Sequence, residues 1–210
     1  MLLAVIRRSC SNSNRMALRS SLTAKRLFFG WESKGDHIKE QKYVLFKTIN
    51  AEPRQVYSVV SEIAKYQEFI PYCIESFVNN RNPNDGRPTE AGLRVGFRQY
   101  DEKFICQVTC QSNVDDDVNK FSVIAASISH NLFHVLYSKW IIKPHPTRPD
   151  ASEVELVLRF KFKSMLYNSV SSIFAKSVTE LVMKAFDRRV YAIKKSDSLA
   201  TQSAVTDKTP

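Results

Sequence analysis

The stretch SMLYNSVSSIFAKSVTELVMKAFDRRVYAIKK, Ser164–Lys195, decides the fold class because it keeps helical periodicity for about eight turns. At 1.5 Å per residue this helix would be about 45 Å long, enough to cross an entire sheet. Its apolar stripe consists of Leu166, Val170, Ile173, Phe174, Val178, Leu181, Val182, Phe186, Val190 and Ile193. The stripe predicts a long helix that buries one face.

The segments before this helix alternate apolar and polar residues, which is typical of strands. A first strand is predicted at Tyr43–Ile49, and a short helix follows Pro53, which the first turn of a helix tolerates. A second helical turn is predicted at Tyr66–Pro71. Further strands are predicted at Ile74–Val78, Leu93–Phe97, Phe104–Cys110, Phe121–Ala125, Phe133–Ile142 and Val154–Phe162, with turns at Asn79–Pro88 and Asp115–Asp117.

This order of elements predicts an α+β fold of the helix-grip type, in which a curved antiparallel sheet of six to seven strands wraps around the long C-terminal helix. A curved sheet cannot contact the helix along its whole length, so an apolar cavity is expected between them. The candidate lining residues are Phe69, Pro71, Leu93, Val95, Phe97, Phe104, Cys106, Val108, Phe133, Leu136, Trp140, Phe160, Phe162, Val170, Phe174, Val178, Leu181, Val182 and Phe186.

The N-terminal 30 residues contain six basic residues, five serines and no acidic residue, which is the composition of a mitochondrial transit peptide. The apolar run Leu2–Ile6 is too short for a secretory signal. Residues 31–41 are predicted to be a linker, 42–195 the folded domain and 196–210 a disordered tail. Without the transit peptide, 25 basic and 21 acidic residues give a net charge of +4, which disfavours a nucleic-acid partner.

The residues that could hold a metal or form disulfides do not form a recognisable motif. His130 and His134 are four residues apart, but their apolar neighbours favour a strand over a metal-binding helix. Cys106 and Cys110 share a strand face and are predicted to be small buried hydrophobes. Together with Cys73 they give the mature chain three cysteines, and this odd number argues against a disulfide framework.

The sequence also contains no recognisable motif for nucleophilic or acid–base catalysis. The chain contains no Gly-x-Ser-x-Gly elbow and no glycine-rich phosphate loop. The neighbouring carboxyl groups of Asp101 and Glu102 are interpreted as part of a solvated turn, although paired carboxylates could perform acid–base chemistry. The sequence therefore predicts no catalytic residue and no metal site.

Four segments of the chain are characteristic in combination: YQEFIPYC (Tyr66–Cys73), LRVGFRQYDEKFICQVTC (Leu93–Cys110), SHNLFHVLYSKWIIKP (Ser129–Pro144) and FKFKSMLYNSV (Phe160–Val170). Together they resemble the coenzyme Q-binding proteins of mitochondria, in the START and polyketide-cyclase-like superfamily. The resemblance extends from Tyr43 to about Lys194 and implies a fungal-type member.

The resemblance implies a non-catalytic lipid chaperone that binds ubiquinone and its late precursors and needs no catalytic cofactor. It also implies a peripheral position on the matrix side of the mitochondrial inner membrane, contact with respiratory or ubiquinone-biosynthesis complexes, and support of respiration and ubiquinone synthesis. Lys161, Lys163, Lys176 and Lys184 would then meet anionic headgroups or simply face solvent.

Two alternatives stay open. A cyclase-like or hydrolase-like enzyme on the same fold would place titratable groups such as Tyr100 or Glu102 in the cavity. A ribosome-associated interaction protein would need a clustered basic face, which a net charge of +4 does not favour.

Overall fold

The computed structural model describes residues 39–206 except 98–99, 114–119, 130–131 and 164, and it describes no side chains for residues 97, 100, 113, 165–178 and 200–206. The predicted transit peptide, most of the predicted linker, the turn at Asp115–Asp117 and His130 lie outside the described residues.

Seven antiparallel strands form one sheet, in the order β1-β7-β6-β5-β4-β3-β2. This arrangement confirms the predicted fold class and places every strand near its predicted position. The strands are β1 (Gln41–Ile49), β2 (Cys73–Arg81), β3 (Pro88–Phe97), β4 (Tyr100–Asn113), β5 (Lys120–Ser127), β6 (Phe133–Pro144) and β7 (Ser152–Phe162). The turn between β2 and β3 is shorter than predicted, because both strands extend into the Asn79–Pro88 segment.

In the part of the chain that the structure describes, two α-helices and one short 3₁₀ helix accompany the sheet. Helix α1 covers Pro53–Ser61, and the backbone N–H of Glu52 donates to Oε1 of Gln55 at its start, 3.2 Å away. The 3₁₀ helix covers Ile63–Glu68, so the turn predicted at Tyr66–Pro71 begins earlier. The three-residue spacing of Ile63 and Tyr66 suits the 3₁₀ period, which explains the shift.

Helix α2 covers Met165–Thr206 and is longer than the sequence pattern predicts. The prediction of a disordered tail is wrong for residues 196–206, which are helical. This segment loses the apolar stripe but contains no glycine or proline, so nothing in its sequence interrupts the helix that precedes it. Among the described residues, no helix combines the length and the apolar content that a membrane span requires.

Polar contacts fix the part of α2 around the buried residues Phe186 and Val190. Nζ of Lys47 in β1 lies 3.0 Å from Oδ2 of Asp187, and Nζ of Lys194 donates to the carbonyl of Asn50 at 3.0 Å. The Arg189 guanidinium pairs with Glu68 of the 3₁₀ helix. Such exposed pairs contribute little stability each, but together they specify where the helix lies across the sheet.

A glycine in β3 allows a close packing contact. A Cβ added to Gly92 would lie 2.2 Å from the Phe77 ring and 2.7 Å from the carbonyl oxygen of Phe104.

We expect Gly92→Ala to lower the free energy of unfolding by about 1–3 kcal/mol, because a ring and a backbone atom must both move. Thermal denaturation would show a lower Tm. The control Thr109→Ala removes an exposed side chain in β4 and should change stability little; equal Tm values for both variants would contradict the packing argument.

Candidate functional site

A cavity of about 430 Å³ lies between the inner face of the sheet, α2 and the segment around the 3₁₀ helix. Its volume falls within the range of small-molecule sites in proteins. The sheet supplies most of the wall, and α2 contributes Thr179, Val182 and Phe186. The predicted cavity is therefore present between the sheet and the helix.

Strand alternation decides which side chains face this cavity. In β4, Phe104, Cys106 and Val108 are buried and line it, whereas Gln107 and Thr109 point to solvent. This pattern follows from the two-residue period of a strand. The inward positions of β4 are almost all apolar, so the wall offers few hydrogen-bonding groups.

The deep end of the cavity is closed by aromatic rings. Phe186 of α2 is 1% exposed, and its ring centroid lies 4.6 Å from that of Trp140 in β6 and 5.1 Å from those of Tyr66 and Phe69. The Tyr66 hydroxyl donates to the carbonyl of Val60 at 2.5 Å, and burial raises the pKa of Tyr66 well above its usual range. The hydroxyl of Tyr66 is thus kept neutral and hydrogen-bonded.

A second group of aromatic rings lines the opposite end of the sheet. The Phe133 ring lies 5.6 Å from that of Phe104 and 4.8 Å from that of Phe162, measured between centroids. Phe160 is buried beside them. Edge-to-face and stacked pairs at these distances stabilise one another, so this end is a rigid apolar wall.

Tyr72 forms part of the cavity mouth. It lines the cavity, is 41% exposed and has a backbone φ of 65°, in the left-handed region. Its carbonyl accepts a hydrogen bond from the backbone N–H of Gly96 at 2.9 Å. This bond ties the loop after the 3₁₀ helix to β3, where Gly96 and Val95 continue the rim.

The lining also contains a carboxylate. Glu102 of β4 faces the cavity opposite Val95, while Asp101 faces outward and forms a bidentate pair with Arg94 at 2.7 and 2.6 Å. The Arg94 guanidinium lowers the pKa of Asp101. The two neighbouring carboxyl groups therefore point to opposite faces of the sheet and do not form an acid–base pair, and Glu102 does not lie in a solvated turn.

Most of the side chains predicted to line the cavity do so. These are Pro71, Leu93, Val95, Phe104, Cys106, Val108, Phe133, Leu136, Trp140, Phe160, Phe162, Val182 and Phe186. Phe69 is not in the wall and packs behind it on Tyr66 and Phe186. Leu181 is 38% exposed because it lies on the other side of α2 from Val182 and Phe186, so its assignment is wrong. The side chains of Phe97, Val170, Phe174 and Val178 lie outside those described.

Sequence reasoning missed several lining residues. They are Ile63, Tyr66, Ile70, Tyr72, Ala91, Gly92, Gly96, Val123, Ala125, Leu132, Ser138, Leu156, Leu158 and Thr179, and Glu102 was assigned to the cavity only in the enzyme alternative. Leu156 and Leu158 alternate in register with Phe160, so strand periodicity could have identified them. Residues such as Tyr72 and Leu132 lie in loops, where periodicity carries no signal.

Burial disfavours ionisation of the cysteine thiols in and beside the cavity wall. Burial raises the pKa of Cys106 to about 12 and that of Cys110 to about 11. Cys73, Cys106 and Cys110 are free thiols. Among the described residues, no group of three potential ligands could hold a metal ion. The described lining therefore offers an apolar volume with a few polar groups.

The raised pKa of Cys106 predicts its reactivity. At about pH 9 only a small fraction of this thiol is ionised, and since the thiolate is the nucleophile, alkylation should be much slower than for an ordinary cysteine. A cysteine introduced by Thr109→Cys, on the exposed face of the same strand, is the control and should react at an ordinary rate. Mass spectrometry after timed iodoacetamide treatment measures both rates, and equal rates would contradict the prediction.

Comparison with known proteins agrees with this geometry. Residues 49–187 match the family described as polyketide cyclase/dehydrase and lipid transport. A START superfamily protein from Mycobacterium smegmatis superposes with a TM-score of 0.59 at 20% identity, over 72% of this chain and 98% of that one. The family match thus places the chain among the polyketide cyclase/dehydrase and lipid transport proteins, and the superposition shows that it shares its fold with the START superfamily protein.

Relatives with higher sequence identity assign the chain to a more specific family. The mitochondrial coenzyme Q-binding protein of Saccharomyces cerevisiae is 62% identical over 167 residues, which cover 80% of this chain and 79% of the relative. That of Eremothecium gossypii is 55% identical over 175 residues, covering 83% of each chain. The chain belongs to the family of coenzyme Q-binding proteins, which confirms the resemblance noted in its sequence.

Proposed function

We propose that this protein binds ubiquinone or a related polyprenyl quinone in the cavity and carries it without chemical change. The observation that carries the proposal is an almost wholly apolar volume of about 430 Å³ enclosed by the sheet and α2. An isoprenoid chain gains about 0.8 kcal/mol for each CH₂ group removed from water, so such a wall favours it over a polar ligand. The relatives from Saccharomyces cerevisiae and Eremothecium gossypii are named as mitochondrial coenzyme Q-binding proteins, which supports the same ligand and the same compartment.

The proposed role is that of a lipid chaperone on the matrix side of the mitochondrial inner membrane. There it would supply ubiquinone to respiratory complexes and receive it, or its late precursors, from the enzymes that make it. Ubiquinone does not cross water unaided, because exposing its isoprenoid chain to water is unfavourable. A protein cavity that covers the chain removes this cost. The composition of residues 1–30 supports import into this compartment.

A cyclase-type or hydrolase-type enzyme is the second candidate, favoured by the presence of Glu102 in the wall. General acid–base chemistry needs groups that converge on one reacting atom. Asp101, the neighbouring carboxylate, points away from the cavity and is paired with Arg94. Binding without catalysis therefore fits the described side chains better.

The ligand proposal is tested by placing a charge in the wall. Val95→Lys adds a charged and longer side chain to a largely apolar wall, opposite Glu102, and should abolish lipid binding while leaving mitochondrial import intact. The control Thr109→Lys adds the same charge on the exposed face of β4. Each protein is isolated from mitochondria, extracted with organic solvent and analysed by mass spectrometry. We expect near-stoichiometric ubiquinone in the wild type and the control, and only background in Val95→Lys; ubiquinone retained in that variant would contradict the assignment.

Membrane contact is proposed through the surface beside the mouth. Tyr72, Ile74 and Ile128 are 41%, 53% and 47% exposed. Tyr72 and Ile74 lie beside residues 94–96 of β3, and the backbone N–H of Ile128 donates to the carbonyl of Ile105 in β4, so all three lie near the cavity rim. Exposed apolar side chains at a lipid exit would insert into a bilayer.

Replacing two of these side chains should weaken membrane binding. The double variant Ile74→Glu/Ile128→Glu should float less with vesicles of anionic phospholipid than the wild type, because buried carboxylates are costly in a bilayer. Phe46→Glu is the control, since Phe46 is 75% exposed on β1 at the other edge of the sheet. Equal loss in both proteins would place the contact elsewhere or make it nonspecific.

A further inference from the structure

Among the described residues, the cavity wall contains five side chains that carry an oxygen atom, and four of them already interact with another group. The five are Tyr66, Tyr72, Glu102, Ser138 and Thr179. The Tyr66 hydroxyl donates to a backbone carbonyl, and Tyr72, Glu102 and Thr179 each have an interaction partner. Of the five, only the Ser138 hydroxyl has no hydrogen-bond partner among the residues that the structure describes.

Ser138 lies on the inner face of the sheet, surrounded by apolar wall. Along β6 its inward neighbours are Leu136 and Trp140, and across the sheet its partners are Ala125 in β5 and Leu158 in β7. Leu136, Ala125 and Leu158 carry no hydrogen-bonding side-chain group, and the indole N–H of Trp140 can only donate. No neighbouring side chain on the sheet can therefore accept the proton of the Ser138 hydroxyl.

A hydroxyl in an apolar wall costs free energy unless a partner satisfies it. Among the described residues, no side-chain nitrogen or oxygen atom is fully buried without a hydrogen-bond partner. Ser138 agrees with this rule because it is only half-buried and opens to the cavity that it lines. A molecule inside the cavity can therefore supply the bond that the protein does not.

The position of Ser138 also sets which part of a ligand it can reach. Trp140, the next inward residue of β6, contacts Phe186 at the closed end of the cavity. The mouth, by contrast, is formed beside Gly96 of β3, and strands β4 and β5 separate β3 from β6. Ser138 thus lies inside the cavity, where the end of the ligand that enters first would be held.

We propose that Ser138 holds the ring of the ligand by donating a hydrogen bond to one of its carbonyl oxygens, with the ring beside Trp140 and the isoprenoid chain directed toward the mouth. This proposal rests on the proposed function, since it concerns the same cavity and the same ligand class. A hydroxyl can donate one hydrogen bond, and a quinone carbonyl accepts one, whereas an isoprenoid chain offers no acceptor. One placed polar group in an apolar site fixes orientation and distinguishes a quinone from a plain hydrocarbon.

The test compares a ligand that has ring oxygens with one that has none. Decylubiquinone is titrated into the purified protein, and the quenching of tryptophan fluorescence, to which Trp140 contributes, gives its dissociation constant. Decylbenzene carries the same chain on a ring without oxygen atoms. It is added as a competitor, and the recovery of fluorescence gives its own constant. The readout is the ratio of the two constants, because a variant that merely folds less well loses affinity for both ligands.

Three variants assign the preference for the quinone to its residue. Ser138→Ala should weaken decylubiquinone binding by roughly threefold to tenfold, the effect of one neutral hydrogen bond, and leave decylbenzene binding unchanged. Ser138→Thr keeps a hydroxyl at the same position and should keep the preference. Ser122→Ala is the matched control, since it removes a serine hydroxyl of β5 that bonds to Gln111 and does not line the cavity, so its ratio should equal that of the wild type.

Infrared spectroscopy of bound decylubiquinone gives a readout that folding does not influence. A donated hydrogen bond lowers the stretching frequency of a carbonyl group. We therefore expect one quinone carbonyl band to move to higher frequency in Ser138→Ala and to stay in place in Ser122→Ala. A carbonyl spectrum that is identical in the wild type and Ser138→Ala would overturn the proposed bond.

The titrations separate this proposal from the one on which it rests. An unchanged ratio in Ser138→Ala, as for a hydroxyl that binds only a cavity water, would overturn the role of Ser138 and leave quinone binding in place. A wild type that binds decylbenzene as tightly as decylubiquinone would overturn it too, since no ring oxygen would then be recognised. Failure of the wild type to bind decylubiquinone would overturn the proposed function itself. A ratio that falls equally in Ser122→Ala would show that the preference depends on the sheet rather than on contact with the ring.

Discussion

The contact between Phe186 and the rings of Trp140, Tyr66 and Phe69 is the constraint on which the rest of the structure depends. It presses α2 against the sheet and the 3₁₀ helix at one place, and the pairs of Lys47 with Asp187 and Arg189 with Glu68 keep the helix from rotating there. Because a sheet of seven strands is twisted, it cannot contact a helix along the whole length of that helix. The space that remains is the cavity, so the ligand site is a consequence of how the core is closed.

A cavity built in this way has a wall of the same character as the protein core. Its buried groups are neutral, since burial raises the pKa of Cys106 and of Tyr66, and the Tyr66 hydroxyl bonds to a backbone carbonyl. Arg94 and Asp101, by contrast, lie on the outer face of the sheet and pair with each other there. A wall of this kind binds by exclusion of water, and any discrimination between ligands must come from the few polar positions it retains.

Periodicity in the sequence predicted most of the fold, because each strand and the long helix repeat apolar residues in a way that local sterics enforce. It identified inward residues on regular strands, such as Phe104 and Trp140, since alternation alone orients them. It failed where orientation depends on tertiary contacts. Leu181 belongs to the apolar stripe yet faces outward, Tyr72 reaches the cavity from a loop, and α2 continues past its apolar stripe to Thr206.

The backbone of Tyr72 has a consequence for how the domain balances stability against function. A tyrosine in the left-handed region costs about 1 kcal/mol relative to glycine, which adopts that conformation freely. Glycine would therefore make a more stable loop, but it would remove the ring that forms part of the rim. The chain has the strained tyrosine at this position. Selection for higher thermostability would favour glycine here, and the gain in stability would come at the expense of control over ligand exchange.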